Sequence, residues 1–208
     1  MNKPTVYIID DDLSILRGLN RLVRAAGLYA ESFSSAKDFL ASDKHKRPGC
    51  IVLDFRMPNM SGIELQKELC NAEYHMPIIF LSGHANIPTA AQAMKVGAID
   101  FLTKPVDKND LMNAIHLSLE KDRENLIQKA ENTLIHEKIK MLTPREHEVM
   151  TYVITGMLNK QIAGEMLISE ETVKIHRRRV KKKLAIVSVA ELVYLCNKVG
   201  IIPAKPKK

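Results

Sequence analysis

The chain has 208 residues, is 46% hydrophobic and 26% charged, and carries a formal net charge of +7. That length suits one medium and one small domain. No apolar run approaches the ~18–20 residues needed to cross a membrane, and Cys50, Cys70 and Cys196 form no CxxC or Cys/His ligand pattern. With no signal-peptide pattern either, the expectation is a cytoplasmic protein with reduced, mostly packing cysteines and no membrane attachment.

The charge is unevenly spread. Residues 1–106 carry 12 Lys+Arg against 11 Asp+Glu, residues 107–140 carry 6 against 7, and residues 141–208 carry 13 against 6. The excess sits in the last third, which suggests a polyanionic partner for that part of the chain.

Val6–Ile9 is a short apolar run ending in Asp10-Asp11-Asp12, followed by Leu13, Ile15, Leu16, Leu19, Leu22 and Val23 at helical spacing up to Gly27. Ile51–Leu53 ends in Asp54, Pro77–Leu81 ends in Ser82, and Ile99–Leu102 ends in Thr103-Lys104-Pro105. Helix-like stretches at 63–69 and 89–96 lie between them. Short apolar strands alternating with helices predict a parallel sheet covered on both faces, with working groups at the carboxyl ends of the strands.

Those ends carry Asp10 and Asp11, Asp54, Ser82 and Lys104. One Asp after a strand is ordinarily a helix cap or turn former, but that role does not account for acids, a hydroxyl and a lysine recurring along one sheet edge. Converging carboxylates repel one another and suit a hard divalent cation such as Mg²⁺. Attack by a carboxylate on a phosphoryl group would use that cation, the Lys104 charge and the Ser82 hydroxyl to stabilise phosphoryl oxygens.

Through "YIIDDD" at 7–12, "VLDFRMPNMSG" at 52–62, "FLSGHA" at 80–85 and "DFLTKP" at 100–105, residues 1–120 resemble the receiver domain of bacterial response regulators. The resemblance implies a flavodoxin-like, doubly wound, five-stranded parallel sheet with Asp54 as phosphoacceptor. It implies Mg²⁺, replaceable by Mn²⁺, held by Asp11, Asp54 and the backbone carbonyl of Arg56, with Asp10 acting through water. It also implies a cis bond before Pro105, and a switch in which Ser82 moves toward the phosphoryl group and an aromatic follows. That aromatic is Phe101, where many receivers have tyrosine; the alternative is a permanently buried core phenylalanine.

From Asp107 to Thr143 there is no Pro or Gly. The last receiver helix is therefore expected to run on as a charged linker helix over 121–140. Leu111, Ile115, Leu119, Leu126, Ala130 and Leu134 lie near one face, either as a dimer seam or as a cap on the receiver itself.

In residues 141–208, Thr143, Pro144 and Glu146 predict a capped helix start, with an end near Gly156. Helices are then expected at 159–167, after Ser169, and from Ser188 to about Gly200; the short turn between the second and third suits a helix-turn-helix. On the third, at about 100° per residue with Val173 at zero, Val180 and Leu184 return to the core side. Lys174, Arg178, Lys182, Ile175 and Arg179 fall on the arc from about 100° to about 240°. Cations and one exposed isoleucine suit phosphates, guanine edges and a thymine methyl in a major groove.

"LTPRE", "NKQIAGEMLIS" and "ETVKIHRRRVKKKL" make residues 142–199 similar to the four-helix output domain of the LuxR/NarL class, and the whole chain similar to FixJ-type two-component regulators. The resemblance implies base contacts near Lys174, Ile175 and Arg178, and backbone contacts by Thr172 and His176. Val189 replaces an arginine common in the class, which leaves a backbone contact there unsupported.

The resulting expectation is a transcription regulator, not an enzyme. A sensor histidine kinase phosphorylates Asp54, and a homodimer then binds double-stranded promoter DNA, with RNA polymerase as a further partner. Two alternatives are a constitutive DNA binder whose receiver is only an interaction module, and a phosphatase using Asp54 as nucleophile. The first leaves the acidic site unexplained and the second leaves the basic helix unexplained.

Overall fold

The computed structural model describes residues 3–42, 47–72, 74–83 and 87–205. His84 and Ala85 of the FLSGHA motif, and positions 206–208, lie outside the described residues. The chain divides into two compact units, Met1–Leu126 and Ile127–Lys208.

The N-terminal unit is a five-stranded parallel sheet in the order β2-β1-β3-β4-β5. Its strands are β1 (Thr5–Ile9), β2 (Tyr29–Phe33), β3 (Gly49–Asp54), β4 (Ile78–Ser82) and β5 (Asp100–Thr103). Between them run α1 (Leu13–Ala25), α2 (Ala36–Ala41), α3 (Gly62–Asn71) and α4 (Ile87–Lys95), and α5 (Lys108–Lys140) follows. The three central strands are buried along their whole length, as their unbroken apolar runs require.

Alternation along those strands builds two cores. Val6, Ile8, Val52, Ile79 and Leu81 pack with Leu16, Leu19, Leu111 and Ile115. Tyr7, Ile9, Ile51, Leu53 and Phe80 pack with Phe39, Leu65, Leu69 and Ala93. Each large apolar side chain removed from water contributes roughly 1.5–3 kcal/mol before entropy is counted.

β2 and α2 do not stand out as an apolar period. β2 lies on the edge and fully buries only Ala30, so its sequence, YAESF, is mostly that of a solvated strand. Its register against β1, from Thr5↔Tyr29 to Ile9↔Phe33, nevertheless completes the sheet. The run Asp10-Asp11-Asp12 is divided in use. Asp12 caps α1, accepting from the Ser14 backbone N–H at 2.7 Å and the Ser14 hydroxyl at 2.6 Å.

α5 is 33 residues long, as the absence of helix breakers predicts. Leu111, Ile115 and Leu119 are buried in the N-terminal core. Leu126, Ala130 and Leu134 do not continue that packing, and Leu134 is exposed; instead Ile135 and Ile139, off the expected stripe, enter the core of the second unit. The stripe is capping over its first three positions only. Asp122 on α5 is fully buried and accepts from Arg47 Nε at 3.1 Å, from Arg47 Nη2 and from the Gly49 backbone N–H at 2.9 Å. It ties the start of β3 to the helix. The Arg47–Pro48 and Lys104–Pro105 bonds are both cis, the second as the resemblance implies.

The C-terminal unit adds α6 (Pro144–Val153), α7 (Asn159–Met166), α8 (Glu170–Leu184) and α9 (Val189–Lys198). Thr143 and Glu146 form the expected capping box. The turn from α7 to α8 places Leu167 in the left-handed region (φ 55°) and caps α8 with Ser169. Val149, Val153, Ile162, Val173, Val180, Leu184, Leu192 and Cys196 form the core with Ile135 and Ile139. At its rim, Lys183 Nζ donates to Glu146 Oε2 at 2.6 Å and to the Met141 carbonyl at 3.0 Å.

The Lys183 hydrogen bond and that from the Thr143 backbone N–H hold the Glu146 carboxyl below its ordinary value of 4.5. Folding thus favours the ionised form. This contribution to stability is complete above about pH 4.5 and drains away as pH falls through the lower folded value. Unfolding of the wild-type chain and Glu146→Gln, followed by circular dichroism from pH 6 down to pH 3, is expected to show a shallower acid-side loss of stability in the variant.

Candidate functional site

Parallel packing brings the carboxyl ends of β1, β3, β4 and β5 to one edge of the sheet, and four expected residues arrive with them. Asp10 follows β1, Asp54 closes β3, Ser82 closes β4 and Lys104 follows β5. Lys104 Nζ donates to Asp10 Oδ2 at 2.6 Å and to Asp54 Oδ1 at 2.5 Å. The remaining oxygens are also held. Asp10 Oδ1 accepts from the Asp12 backbone N–H at 3.0 Å, and Asp54 Oδ2 from the Arg56 backbone N–H at 3.1 Å. Lys104 N–H donates to the Ser82 carbonyl at 2.9 Å, joining the ends of β4 and β5.

Asp10 and Asp54 are buried and Asp11 is exposed; carboxylate oxygens of all three lie within 4.8 Å of one another. An all-oxygen donor set with one solvent-facing member fits a small hard cation such as Mg²⁺. Burial pushes the Asp54 carboxyl up from its ordinary value, against the opposing pull of Lys104. Burial also acts against the Lys104 ammonium, but its bonds to Asp10 and Asp54 win and hold its pKa above the ordinary value.

Ser82 is buried at the pocket. Phe101 is half-buried, its ring centroid 5.7 Å from that of Phe55 and 6.3 Å from that of Phe80. It is therefore neither a fully enclosed core residue nor a surface one. Phe55, next to Asp54, was not singled out by pattern; its ring links Phe101 to the strand that carries Asp54.

The second cluster lies on α8. Val173, Val180 and Leu184 are buried, while Lys174, Ile175, Arg178, Arg179 and Lys182 are all exposed, as the angular reading predicts. Thr172 and His176 are half-buried; the Thr172 and Ser169 hydroxyls share a 2.8 Å hydrogen bond, and His176 Nδ1 is buried with no partner among the described residues. The Arg177–Arg179 run is not uniform. Arg177 Nη1 turns inward to Asn159 Oδ1 at 2.7 Å, fixing α8 against the start of α7. Lys181 is likewise engaged, with the Val187 carbonyl at 3.0 Å. Val189 packs, partly buried, against the core.

Two family models match, the response regulator receiver domain over residues 6–116 and the luxR family of bacterial regulatory proteins over residues 140–196. The chain is 41% identical to nodulation protein W of Bradyrhizobium diazoefficiens, over 96% of its own length and 88% of that protein's. To the transcriptional regulatory protein FixJ of Azorhizobium caulinodans it is 38% identical, over 96% and 94%.

The chain belongs to the response-regulator family.

Among solved structures, response regulator StyR is similar over 95% of this chain and all of that one, at 43% identity and a TM-score of 0.79. The N-terminal unit is a receiver domain and the C-terminal unit carries a LuxR-family DNA-binding domain, which makes the chain a regulator of the FixJ type. No described helix is long and apolar enough to cross a membrane.

One glycine underlies the receiver pocket. Gly62 opens α3 directly behind Asp54, and a Cβ there would meet the Asp54 carbonyl at 2.4 Å and the Phe80 ring at 2.9 Å. Since the nearer contact is backbone, relief requires β3 and α3 to separate. Gly62→Ala is expected to lower receiver stability by about 1–3 kcal/mol in urea titration, whereas Gly18→Ala, inside α1 with open space at its Cβ, is expected to raise it by up to about 1 kcal/mol.

Proposed function

We propose that this response regulator is controlled by phosphorylation of Asp54 by a sensor histidine kinase, and that the phosphorylated chain binds promoter DNA as a dimer to regulate transcription. The observation that carries the reading is Lys104 Nζ bridging Asp10 and Asp54 at one edge of a parallel sheet. Lys104 thereby opposes the burial that pushes the Asp54 carboxyl up, and keeps a fixed positive charge beside it.

In the proposed step an Asp54 carboxylate oxygen attacks phosphorus, the P–N bond to the donor histidine breaks, and the imidazole leaves with its electron pair. Lys104 stays with the oxygens that gain charge, and the Ser82 hydroxyl donates to one of them. Asp11, Asp54 and the Arg56 carbonyl would hold Mg²⁺ or Mn²⁺, with Asp10 acting through water. When bound, that ion neutralises phosphoryl charge among the carboxylates. The drawing-in of Ser82 opens room for Phe101, whose contacts with Phe55 and Phe80 would carry the change to the receiver surface.

On the output side, Arg178, Arg179 and Lys182 are exposed and have no partner among the described residues, the condition expected of groups that contact a polyanion. One such helix reads few base pairs, so two copies on a paired site are expected. Kinase, promoter and RNA polymerase would all meet the chain in the cytoplasm.

Incubated with phosphoramidate and Mg²⁺, the wild-type chain is expected to gain one phosphoryl group by intact mass, and Asp54→Asn none; equal labelling of the two would overturn the reading. Arg178→Ala is expected to cost about 1–3 kcal/mol on a cognate duplex and far less on random DNA by fluorescence anisotropy. Equal loss on both would make Arg178 a phosphate contact.

A further inference from the structure

The DNA-facing arc of α8 contains an acid. With Val173 at zero, Glu171 falls at about 160°, between Arg178 at about 140° and Lys182 at about 180°. Its side chain is 73% exposed, and its Oε2 accepts from Lys174 Nζ at 3.4 Å. Glu170, one residue earlier, falls at about 60°, outside the arc. Both acids lie in the first turn and favour the helix N-terminus electrostatically, but that role does not require either to sit among the cations.

We propose that Glu171 is a specificity-determining residue that accepts a hydrogen bond from the N4 amino group of a cytosine in the DNA site, while Lys174 donates to the guanine acceptors of the same base pair. The inference rests on the reading of α8 as the DNA-contacting helix. A carboxylate on that face repels phosphates, so it lowers affinity for DNA in general unless a base edge supplies a donor. The N-terminal residues of a recognition helix are those that reach base edges. In the major groove a C·G pair presents an amino donor at cytosine N4 beside the O6 and N7 acceptors of guanine. An acceptor and a donor within 3.4 Å of each other on one helix face complement that edge. Arg178 and Ile175 continue the same surface toward neighbouring pairs.

Glutamine gives the sharper test, because its amide matches adenine N6 and N7 where a carboxylate matches cytosine N4. Full-length chain, treated with phosphoramidate and Mg²⁺ or left untreated, is used to select duplexes from a random library as wild type, Glu171→Ala, Glu171→Gln and Glu170→Gln. Dissociation constants are then measured on the selected site and on its single-base variants, with thermal unfolding of each protein alongside. Wild type is expected to enrich a site holding a C·G pair at which substitution costs about 5- to 150-fold. Glu171→Ala should lose that preference while binding random DNA more tightly, Glu171→Gln should move it toward adenine, and Glu170→Gln should keep it. If both Glu171 variants select the wild-type site with unchanged preferences at every position, Glu171 is only a counter-charge and the proposal is overturned. If wild type enriches no site at all, the DNA-contacting reading of α8 fails first and the proposal falls with it.

Discussion

The receiver is organised around one ammonium group. Two buried carboxylates side by side repel by on the order of 4 kcal/mol at 4 Å in a medium of effective dielectric 20, and Asp10 and Asp54 are both out of solvent. Lys104 removes that conflict by bonding to both. It can do so only if β1, β3 and β5 end at the same level, which is what their parallel registers bring about through β4. Sheet order, strand lengths and the close approach at Gly62 can thus be read as conditions for holding three charges within a few ångströms. Asp11, exposed at the mouth, adds a third carboxylate that Lys104 does not bond, and an all-oxygen set of this kind suits a small hard cation.

α5 contributes to two hydrophobic cores. Leu111, Ile115 and Leu119 belong to the first and Ile135 and Ile139 to the second, so the helix forms less because its residues favour it than because both units bury part of it. Polar ties add to the burial along its middle. Asp122 receives Arg47 and Gly49, while Glu131 receives Lys198, whose ammonium also lies 5.8 Å from the Tyr194 ring centroid.

Much of this was legible in the amino-acid order, for physical reasons that differ from element to element. Central strands announce themselves because burial on both faces forces continuous apolar runs; β2 does not, because an edge strand with one buried residue reads like any polar loop. The pocket was readable since its residues follow strands directly. Phe55 was not, because its ring acts through contacts with residues from two other strands. On α8 the core and exposed faces came out of the helical period alone. The inward turn of Arg177 did not, since it depends on Asn159, 18 residues away and on another helix. In α5 the length was predictable from missing helix breakers, whereas the handover to Ile135 and Ile139 depends on where the second core lies, which no local period encodes.

The engagement of Arg177, Lys181 and Lys183 within the output domain changes what a nucleic acid would encounter. α8 holds seven Lys and Arg residues, yet three are spent internally and Lys174 is shared with Glu170 and Glu171. Among the described residues of α8, only Arg178, Arg179 and Lys182 leave every donor open, and under the proposed DNA contact each would add roughly 0.9 to the logarithmic salt slope. Under the proposed DNA contact, a bare count of cations would overstate the phosphate contacts this helix makes, because Arg177, Lys181 and Lys183 direct donors into the fold.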